Sequence, residues 1–238
     1  MRFVLNKERY FLMNSNKKDT SQLYGRPLPP SIYTATALEA APKLLGQTLV
    51  RCTEDGDIRC KIVETESYGG KEDKGSHAFG ARRTARTEMM FQAGGACYVY
   101  LIYGMYHCVN VVTGDEDDPH AVLIRAVEPL TARDAELMQL YRGKLPAGKA
   151  ANLSNGPGKL CRALRIDKSL NGCQLNRMDG PLYLELGAGT SGLSIVQGPR
   201  INIPYAEEYA AKPWRFYIQE NPYVSVIDKK NDYRRTSK

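Results

Sequence analysis

Short stretches of alternating apolar and polar residues recur along most of the chain, and this period of two predicts β-strands. The stretches are QTLVRCT, IRCKIVETESY, YVYLIY, YHCVNVV, AVLIRAV, PLYLEL and GLSIVQ. Asp55 and Gly56 separate the first two stretches, and this dipeptide is a strong signal for a hairpin turn. Gly104 permits another tight turn, which predicts that Tyr103 lies at the tip of a second hairpin.

Helical patterns occupy TALEAAPKLLG, ARDAELMQLYRG and PGKLCRALRI. We expect the first helix to close at Gly46, although Pro42 must either begin its last piece or kink it. Pro157 suits the first turn of the third helix. Successive hairpins with helices between them predict an α+β domain with an antiparallel or mixed sheet. We expect one domain over residues 31–228, after an irregular polar arm at 1–30 and before a charged tail at 229–238.

The composition is that of an ordinary globular protein with an excess of positive charge. The 238 residues include 33 Lys and Arg against 26 Asp and Glu, a net charge of +7. This excess favours polyanionic partners, because phosphate neutralisation releases counterions, although a generic basic surface explains it equally well. No stretch approaches the roughly 20 apolar residues that span a bilayer, so we expect no membrane partner.

The six cysteines form no CxxC pair and have no close histidine partners. Neither a zinc module nor a disulfide scaffold is therefore indicated. Most of them fall within apolar runs, which is typical of buried thiols in a reducing compartment.

Two carboxylates stand at the end of an apolar strand pattern. Strict alternation places six residues of IRCKIVETESY on one face: Ile58, Cys60, Ile62, Glu64, Glu66 and Tyr68. A carboxylate on a core-directed face is costly unless it is paired or hydrated, which makes Glu64 and Glu66 candidate acid/base groups. A strand that emerges into solvent before residue 64 is the alternative.

AVLIRAV shows the same anomaly with the opposite charge, because alternation puts Arg125 on one face with Leu123 and Val127. A half-buried arginine needs an anion, and Glu64 or Glu66 is a natural partner. The pair could be purely structural, or it could hold a carboxylate ionised beside a water molecule.

The segment KEDKGSHAFGARRTAR combines glycines with basic residues in a loop that is too polar for a core, which suits phosphate contacts or a solvated surface. Asp73 and His77 have a spacing used by metal ligands, but no third ligand accompanies them, so we expect no metal. NGPGKL lacks the Ser or Thr that ends a phosphate-binding loop of the NTPase type, since Leu160 follows Lys159.

Five blocks, in this order, resemble the alkyladenine (3-methyladenine) DNA glycosylase family of the eukaryotic type: IVETESYGGKEDKGSH, GACYVYLIYGMYHCVNVV, AVLIRAVEP, NGPGKLCRAL and AAKPWRFYI. The resemblance covers most of the chain between residues 36 and 227, and ETESY together with YVYLIYGMYHCVN is highly specific. It implies one α+β domain with a curved, mainly antiparallel sheet, surrounding helices and a protruding hairpin. It also implies a monofunctional enzyme that flips a damaged purine out of duplex DNA and hydrolyses its N-glycosidic bond.

The resemblance assigns three groups of residues. Glu66 would activate the attacking water, which Arg125 and the backbone carbonyl of Ile201 would hold. The residues that would enclose the flipped base are Tyr68, His77, Tyr100, Asn110 and Leu123, with Asn110 disfavouring the exocyclic amino group of normal guanine. The DNA contacts would be Tyr103, Met105, Tyr106, Arg82, Thr84 and Arg86. Among these, Tyr103 would fill the gap left by the flipped nucleotide.

The implied partner is double-stranded DNA that contains alkylated or deaminated purines, and no metal or organic cofactor is implied. We expect a monomer in the cytoplasm or nucleoid of a bacterium or the nucleus of a eukaryote, with an organelle transit segment left open. The chain departs from the family pattern at Ala85 and Thr87, where Pro and Asn are more usual, and at Asn202, where Gly is common.

Two other functions remain open at this point. Because of those departures, the chain could be a damage-binding protein that has lost its chemistry. It could also be a carbohydrate-active enzyme with Glu64 and Glu66 as paired acids, although two acids on one strand face approach a bond from the same side.

Overall fold

The computed structural model describes residues 25–143, 145 and 149–228. Residues 1–24 of the expected arm and the expected tail at 229–238 lie outside the described residues. Within them, residues 25–30 already belong to the folded unit, because Leu28 is buried in the main core and Pro27 forms a bridge with Glu185.

The described residues form one α+β domain on an antiparallel sheet of eight strands, as the alternating pattern predicts. The strands are β1 (Thr48–Thr53), β2 (Gly56–Gly69), β3 (Cys97–Ile102), β4 (Tyr106–Thr113), β5 (His120–Pro129), β6 (Leu182–Glu185), β7 (Ile195–Gly198) and β8 (Arg215–Ile218). Their order is β3-β4-β5-β2-β1-β6, and β8 pairs with both β2 and β7. The sequence pattern did not predict β8, because all four of its residues are buried and the segment has no polar alternation.

Strand β2 is the centre of the sheet. Its first half pairs with β1 through the turn at Glu54 and Asp55, which confirms the expected hairpin. Its second half, at Glu64–Glu66, lies between β5 on one side and β8 on the other. The residues of this second half are therefore among the most enclosed in the sheet.

The three expected helices are present: α1 (Ala37–Leu44), α2 (Ala132–Arg142) and α3 (Pro157–Ala163). Pro42 lies inside α1, which ends two residues before Gly46 rather than closing there. Helix α3 is shorter than expected and ends at Ala163, and nearby Arg165 has a positive φ of 47° that no α-helix accommodates.

A pair of β-bulges between β2 and β5 corrects the expected faces of both strands. The register skips Val63 on β2 and Arg125 on β5. The Cys60 thiol lies 3.5 Å from Met138 of α2, and the Thr65 hydroxyl donates to the carbonyl of Ala41 in α1. Both residues therefore face the helices, although five positions separate them and strict alternation would place them on opposite faces.

The expectation that Glu64, Glu66 and Tyr68 share a face with Ile58, Cys60 and Ile62 is accordingly wrong. The bulge turns the two glutamates to the face opposite the helices, where Glu64 accepts a hydrogen bond from the Ser225 backbone N–H. On β5, Leu123 and Arg125 face the same side as the glutamates, whereas Val127 joins the helix-side core. The alternative of a strand emerging into solvent is also wrong, since Glu64 and Glu66 are fully buried.

The β3–β4 hairpin has the tip that the sequence predicts. The Met105 N–H donates to the Ile102 carbonyl across a turn whose central residues, Tyr103 and Gly104, have φ values of 53° and 68°. Positive φ at both positions defines the type I′ turn, which matches the twist of the strands it joins. Tyr103 therefore holds a conformation that costs free energy in a residue with a large side chain.

Two apolar clusters lie on opposite faces of the sheet. The larger one packs α1, α2 and α3 against the sheet. The smaller one contains Met90, Phe91 and Tyr98 and lies beneath the segment that carries His77 and Ala78. The polar segment 71–86 is thus partly buried, contrary to the expectation that it is too polar for a core, because Asp73 and Ala78 have no exposed surface.

Candidate active site

A cavity of about 470 Å³ lies on the sheet face that carries Glu66, and residues of α2 and α3 also contribute to its wall. Among the residues expected at a base-binding pocket, those that line it are Tyr68, His77, Tyr100, Asn110, Leu123, Arg125 and Ile201. Tyr103 and Tyr106 line it as well and are exposed to solvent. The sheet, the segment after β2 and the segment after β7 therefore meet around one space.

The carboxylate of Glu66 is fully buried directly behind three of the lining residues. Its Oε1 accepts a hydrogen bond of 2.7 Å from the Ile201 backbone N–H. Its Oε2 accepts one of 2.8 Å from the Tyr68 hydroxyl and one of 3.2 Å from Arg125 Nη1. Three donors on different strands and segments thus fix the orientation of the carboxylate.

Arg125 forms ion pairs with both Glu66 and Glu64. Its Nε lies 3.4 Å from Glu64 Oε1, without the alignment of a hydrogen bond. Burial alone would lower the pKa of Arg125, but the Glu66 and Glu64 carboxylates raise it above its ordinary value. The guanidinium is therefore a permanent positive charge on the cavity wall.

Glu64 lies one step further from the cavity and has its own set of donors. Arg215 Nη1 donates to its Oε1 at 3.0 Å, and the Ser225 N–H donates to its Oε2 at 2.7 Å. Arg215 also reaches Asp228 and the Val226 carbonyl. These contacts assign Glu64 to a structural network that ties the C-terminal segment to β2.

A second buried ion pair supports the other side of the cavity, and sequence reasoning missed it. Arg200 donates to both oxygens of Asp73, at 2.6 and 2.7 Å, and its Nη1 also donates to the Ser67 carbonyl. Asp73 in turn accepts from the backbone N–H groups of Gly69 and Gly75. The pair holds the end of β2 against the segment that leads to His77 and the one that leads to Ile201.

Arg200 also lies on the ring of Tyr68, with its guanidinium carbon 4.6 Å from the ring centroid. A cation over the ring orients the tyrosine and favours one position of its hydroxyl. The same arginine approaches Gly75 so closely that a Cβ there would come within 2.7 Å of Nη2. GPRIN and DKGSH contain these residues, but nothing in their spacing indicates that they pair.

Aromatic rings form one wall of the cavity. His77 Nδ1 lies 3.0 Å from the Tyr98 hydroxyl, and its ring meets that of Tyr100 edge to face at 4.7 Å between centroids. Burial, followed by the charge of Arg86, lowers the pKa of His77 to about 4. The imidazole is therefore neutral near pH 7, and the Tyr98 hydroxyl supports its orientation.

Asn110 and Leu123 face each other across β4 and β5 at this wall. The Asn110 side-chain amide donates to the Tyr98 carbonyl at 2.9 Å and is almost fully buried. This bond uses one N–H of the amide and fixes the orientation of its oxygen at the cavity wall.

The remaining DNA-contact candidates lie on the surface near the cavity. Tyr103 is 72% and Met105 66% exposed, which is unusual for such apolar side chains. The Arg86 guanidinium lies 5.1 Å from the Tyr100 centroid, while Arg82 and Thr84 are exposed. Met105, Arg82, Thr84 and Arg86 do not line the cavity itself.

Three basic residues on α2 and α3 were not among the sequence candidates, yet they line the cavity: Arg142, Lys159 and Arg162. Burial followed by the charge of Arg142 lowers the pKa of Lys159, which shows that these cations crowd one another. The helical pattern gave no indication of this cluster, because Arg142 belongs to α2 whereas Lys159 and Arg162 belong to α3.

Asn202 has a φ of 59°, the left-handed conformation that asparagine adopts more readily than most residues. The departure from glycine at this position is therefore compatible with the turn after Ile201. Thr87, another position that departs from the family pattern, is buried, and its hydroxyl donates to the Arg82 carbonyl. The basic segment therefore has a defined conformation at this position.

Within the described ranges, no group of three or more His, Cys, Asp or Glu side chains is arranged to hold a metal ion. The Asp73 carboxylate forms an ion pair with Arg200. None of the helices in the same part of the chain is long and apolar enough to cross a membrane.

Comparison with known proteins identifies close relatives. The family model for methylpurine-DNA glycosylase (MPG) matches residues 31–222. A protein of Bacillus cytotoxicus is 50% identical over 204 residues, which cover 83% of this chain and 98% of its own. Proteins of Bacillus mycoides (47% over 202 residues, 83% and 98%) and Natranaerobius thermophilus (46% over 190 residues, 80% and 94%) are also similar. All three carry the name "Putative 3-methyladenine DNA glycosylase".

The buried pair of Asp73 and Arg200 yields a stability prediction. Asp73→Asn should lower the free energy of unfolding by about 3–5 kcal/mol, because it leaves the Arg200 charge buried without its partner. The measurement is chemical denaturation. Glu208→Gln is the matched control, because Glu208 pairs with Lys74 at the surface, and it should leave the free energy of unfolding nearly unchanged. Equal losses in the two variants would contradict the assignment.

The lowered pKa of His77 yields a pH prediction. Because its value in the folded protein, about 4, lies below the ordinary 6.5, the unfolded chain takes up the proton first as pH falls. The contribution of neutral His77 to stability is complete above pH 6.5 and is lost as the pH falls towards 4. The difference in unfolding free energy between wild type and His77→Gln should therefore shrink from pH 7 to pH 4. Parallel pH profiles for the two proteins would refute this.

Proposed function

The chain belongs to the methylpurine-DNA glycosylase family and is a DNA glycosylase; from this premise we propose that it flips alkylated or deaminated purines out of duplex DNA and hydrolyses their N-glycosidic bond with a water activated by Glu66. The observation that carries the proposal is the Glu66 carboxylate, held behind the cavity by Tyr68, Arg125 and Ile201. Each part of the reaction corresponds to a group of described residues.

DNA binding is assigned to the exposed side of the cavity. Arg82 and Arg86 supply charge for phosphate contacts, and the net charge of +7 favours binding to any polyanion. Tyr103 and Met105 protrude from the β3–β4 hairpin and supply an apolar wedge. Such a wedge offsets part of the unstacking free energy, a few kcal/mol per base step.

The flipped base is assigned to the aromatic wall. Alkylated purines such as 3-methyladenine carry positive charge and stack favourably on electron-rich rings, here those of Tyr68 and Tyr100. His77 supports this preference, because a neutral imidazole adds no positive charge beside a cationic base. Asn110 presents a fixed amide oxygen at the same wall, and it is the group proposed to discriminate against normal guanine.

The chemical step needs a base and a held water molecule. Glu66 takes a proton from water as the water oxygen bonds to the sugar C1′, and the bond from C1′ to the purine nitrogen breaks. Arg125 and the backbone carbonyl of Ile201 are proposed to hold the water. The Ile201 N–H keeps one carboxylate oxygen oriented while the other meets Tyr68 and Arg125. The products are a free base and an abasic site.

The two rival functions receive less support. The departures that motivated a damage-binding protein without chemistry fit the fold, since Asn202 adopts a conformation suited to asparagine and Thr87 is buried and hydrogen-bonded. The hypothesis of a carbohydrate-active enzyme with two paired acids is disfavoured, because the Glu64 carboxylate accepts hydrogen bonds from Arg215 and Ser225.

The general-base role of Glu66 predicts that Glu66→Gln lowers base release by about two to four orders of magnitude, the usual contribution of such a group. Duplex oligonucleotides carrying 3-methyladenine, hypoxanthine or 1,N6-ethenoadenine are incubated with enzyme, and free base and alkali-labile sites are measured. Lesion binding, followed by fluorescence anisotropy, should remain close to wild type. Full turnover by the variant would remove Glu66 from this role, and no release by wild type from any lesion would overturn the proposed function.

The wedge role of Tyr103 predicts that Tyr103→Ala weakens flipping more than chemistry. Flipping is followed by the fluorescence of an ethenoadenine lesion, and the chemical step by single-turnover excision at saturating enzyme. Leu38→Ala is the matched control, since Leu38 is an exposed apolar residue on α1, far from the cavity face. An unchanged flipping equilibrium in Tyr103→Ala would count against the wedge.

A further inference from the structure

The outer edge of β3 is covered by a segment of chain that contributes a cysteine opposite another cysteine. Ala96 and Gln174 form an antiparallel bridge just before β3 begins. Next to it, the Cys97 N–H donates to the Cys173 carbonyl at 2.8 Å, and the Gly172 N–H donates to the Cys97 carbonyl at 2.7 Å. Gly172 and Cys173 therefore both lie opposite Cys97, in a β-bulge next to the bridge between Ala96 and Gln174.

This placement is compatible with the geometry of a disulfide. Opposite residues of an antiparallel pair have their side chains on the same face, with Cα atoms about 5.5 Å apart. Disulfides need Cα separations of roughly 4.4–6.8 Å. Both cysteines are free thiols.

The two thiols have different environments. Cys97 is fully buried, and its hydrogen bond with Cys173 together with burial raises the pKa of its thiol. Cys173 is partly exposed, and the hydrogen bond from Cys97, helped by the charge of Arg51, lowers the pKa of its thiol. Cys173 is thus the more accessible and the more acidic of the two thiols, and Cys97 is its shielded neighbour.

We propose that Cys97 and Cys173 are a reversible dithiol site that a hydroperoxide converts to an intramolecular disulfide. The Cys173 thiolate attacks one peroxide oxygen, the O–O bond breaks, and hydroxide leaves and is protonated to water. The resulting sulfenic acid is attacked by Cys97, the S–O bond breaks, and a second water leaves with the Cys97 proton. Two thiols are oxidised, one hydrogen peroxide is reduced, and two waters form.

The disulfide would fasten the covering segment to the root of the β3–β4 hairpin. The same segment already contacts β3 through the Asn171 side chain, which accepts from the Val99 N–H, and through Lys168, which donates to the Val99 carbonyl. A disulfide between residues 97 and 173 closes a long loop. Disulfides that close long loops stabilise the folded protein more than those that close short ones, because they lower the entropy of the unfolded chain more. The melting temperature of the oxidised protein should exceed that of the reduced protein by roughly 5 °C or more.

The experiment oxidises the full-length protein with stoichiometric hydrogen peroxide, alkylates the remaining thiols and maps peptides by mass spectrometry without reduction. Wild type should yield a peptide that links residues 97 and 173, and dithiothreitol should abolish both that peptide and the gain in melting temperature. Cys52→Ser is the matched control, since Cys52 is also partly exposed, and it should form the same link. Cys97→Ser should leave a sulfenic acid on Cys173 that dimedone traps, whereas Cys173→Ser should leave Cys97 reduced.

Three outcomes would overturn the proposal: oxidation of Cys173 to the sulfinic acid in wild type without a linked peptide, a link between other cysteines, or full alkylation of both thiols after peroxide. The wild-type peptide map decides the matter even if a variant fails to fold. The inference does not rest on the proposed base excision, because peptide mapping and melting temperature require no DNA.

Discussion

Buried carboxylates on the cavity face of the sheet can keep their charge only with buried arginines beside them, and the rest of the site depends on this pairing. Removing an ion from water costs several kcal/mol unless a partner and further hydrogen bonds compensate. Here three acids are paired with three arginines: Glu64, Glu66, Asp73, Arg125, Arg200 and Arg215. Because the partners come from β2, β5, β8 and two loops, no one of these elements can shift without exposing a charge to an apolar environment.

The bulges between β2 and β5 make this pairing possible. Without them Glu64 and Glu66 would face the helices and the apolar core, where Cys60 and Thr65 lie. The bulge at Val63 of β2 turns the two glutamates towards the cavity. The bulge at Arg125 of β5 places the arginine on the same face as the glutamates. The cost is visible nearby, since the Nε atoms of Arg125 and Arg200 are buried without a hydrogen-bond partner. Such incomplete satisfaction is typical of a site selected for function rather than for stability alone.

Much of the fold could be predicted from the sequence, because hairpin signals such as Asp55-Gly56 and helix signals such as Pro157 act locally. The proximity of Glu66 and Arg125 could also be inferred, since a buried acid and a buried base require each other. The bulges could not, because a skipped residue leaves no mark on the pattern of apolar and polar positions and reverses every face beyond it. Arg200 and Asp73 escaped for a different reason: they lie in segments without periodicity, and only the folded chain brings them together.

The exposed β3–β4 hairpin depends on rigid support from the sheet, as the buried charges of the site do. In the proposed function, the side chain that enters the base stack must resist the force of restacking, so its strand needs a rigid base. β3 is the outermost strand on its side of the sheet path and pairs only with β4 there, which leaves its other edge to the segment at 168–175. Tyr103 adds a strained backbone at the tip, and strain persists only where the surroundings hold it. The rigidity of the hairpin tip therefore depends on contacts at the start of β3, away from Glu66. The thiols of Cys97 and Cys173 lie at these contacts.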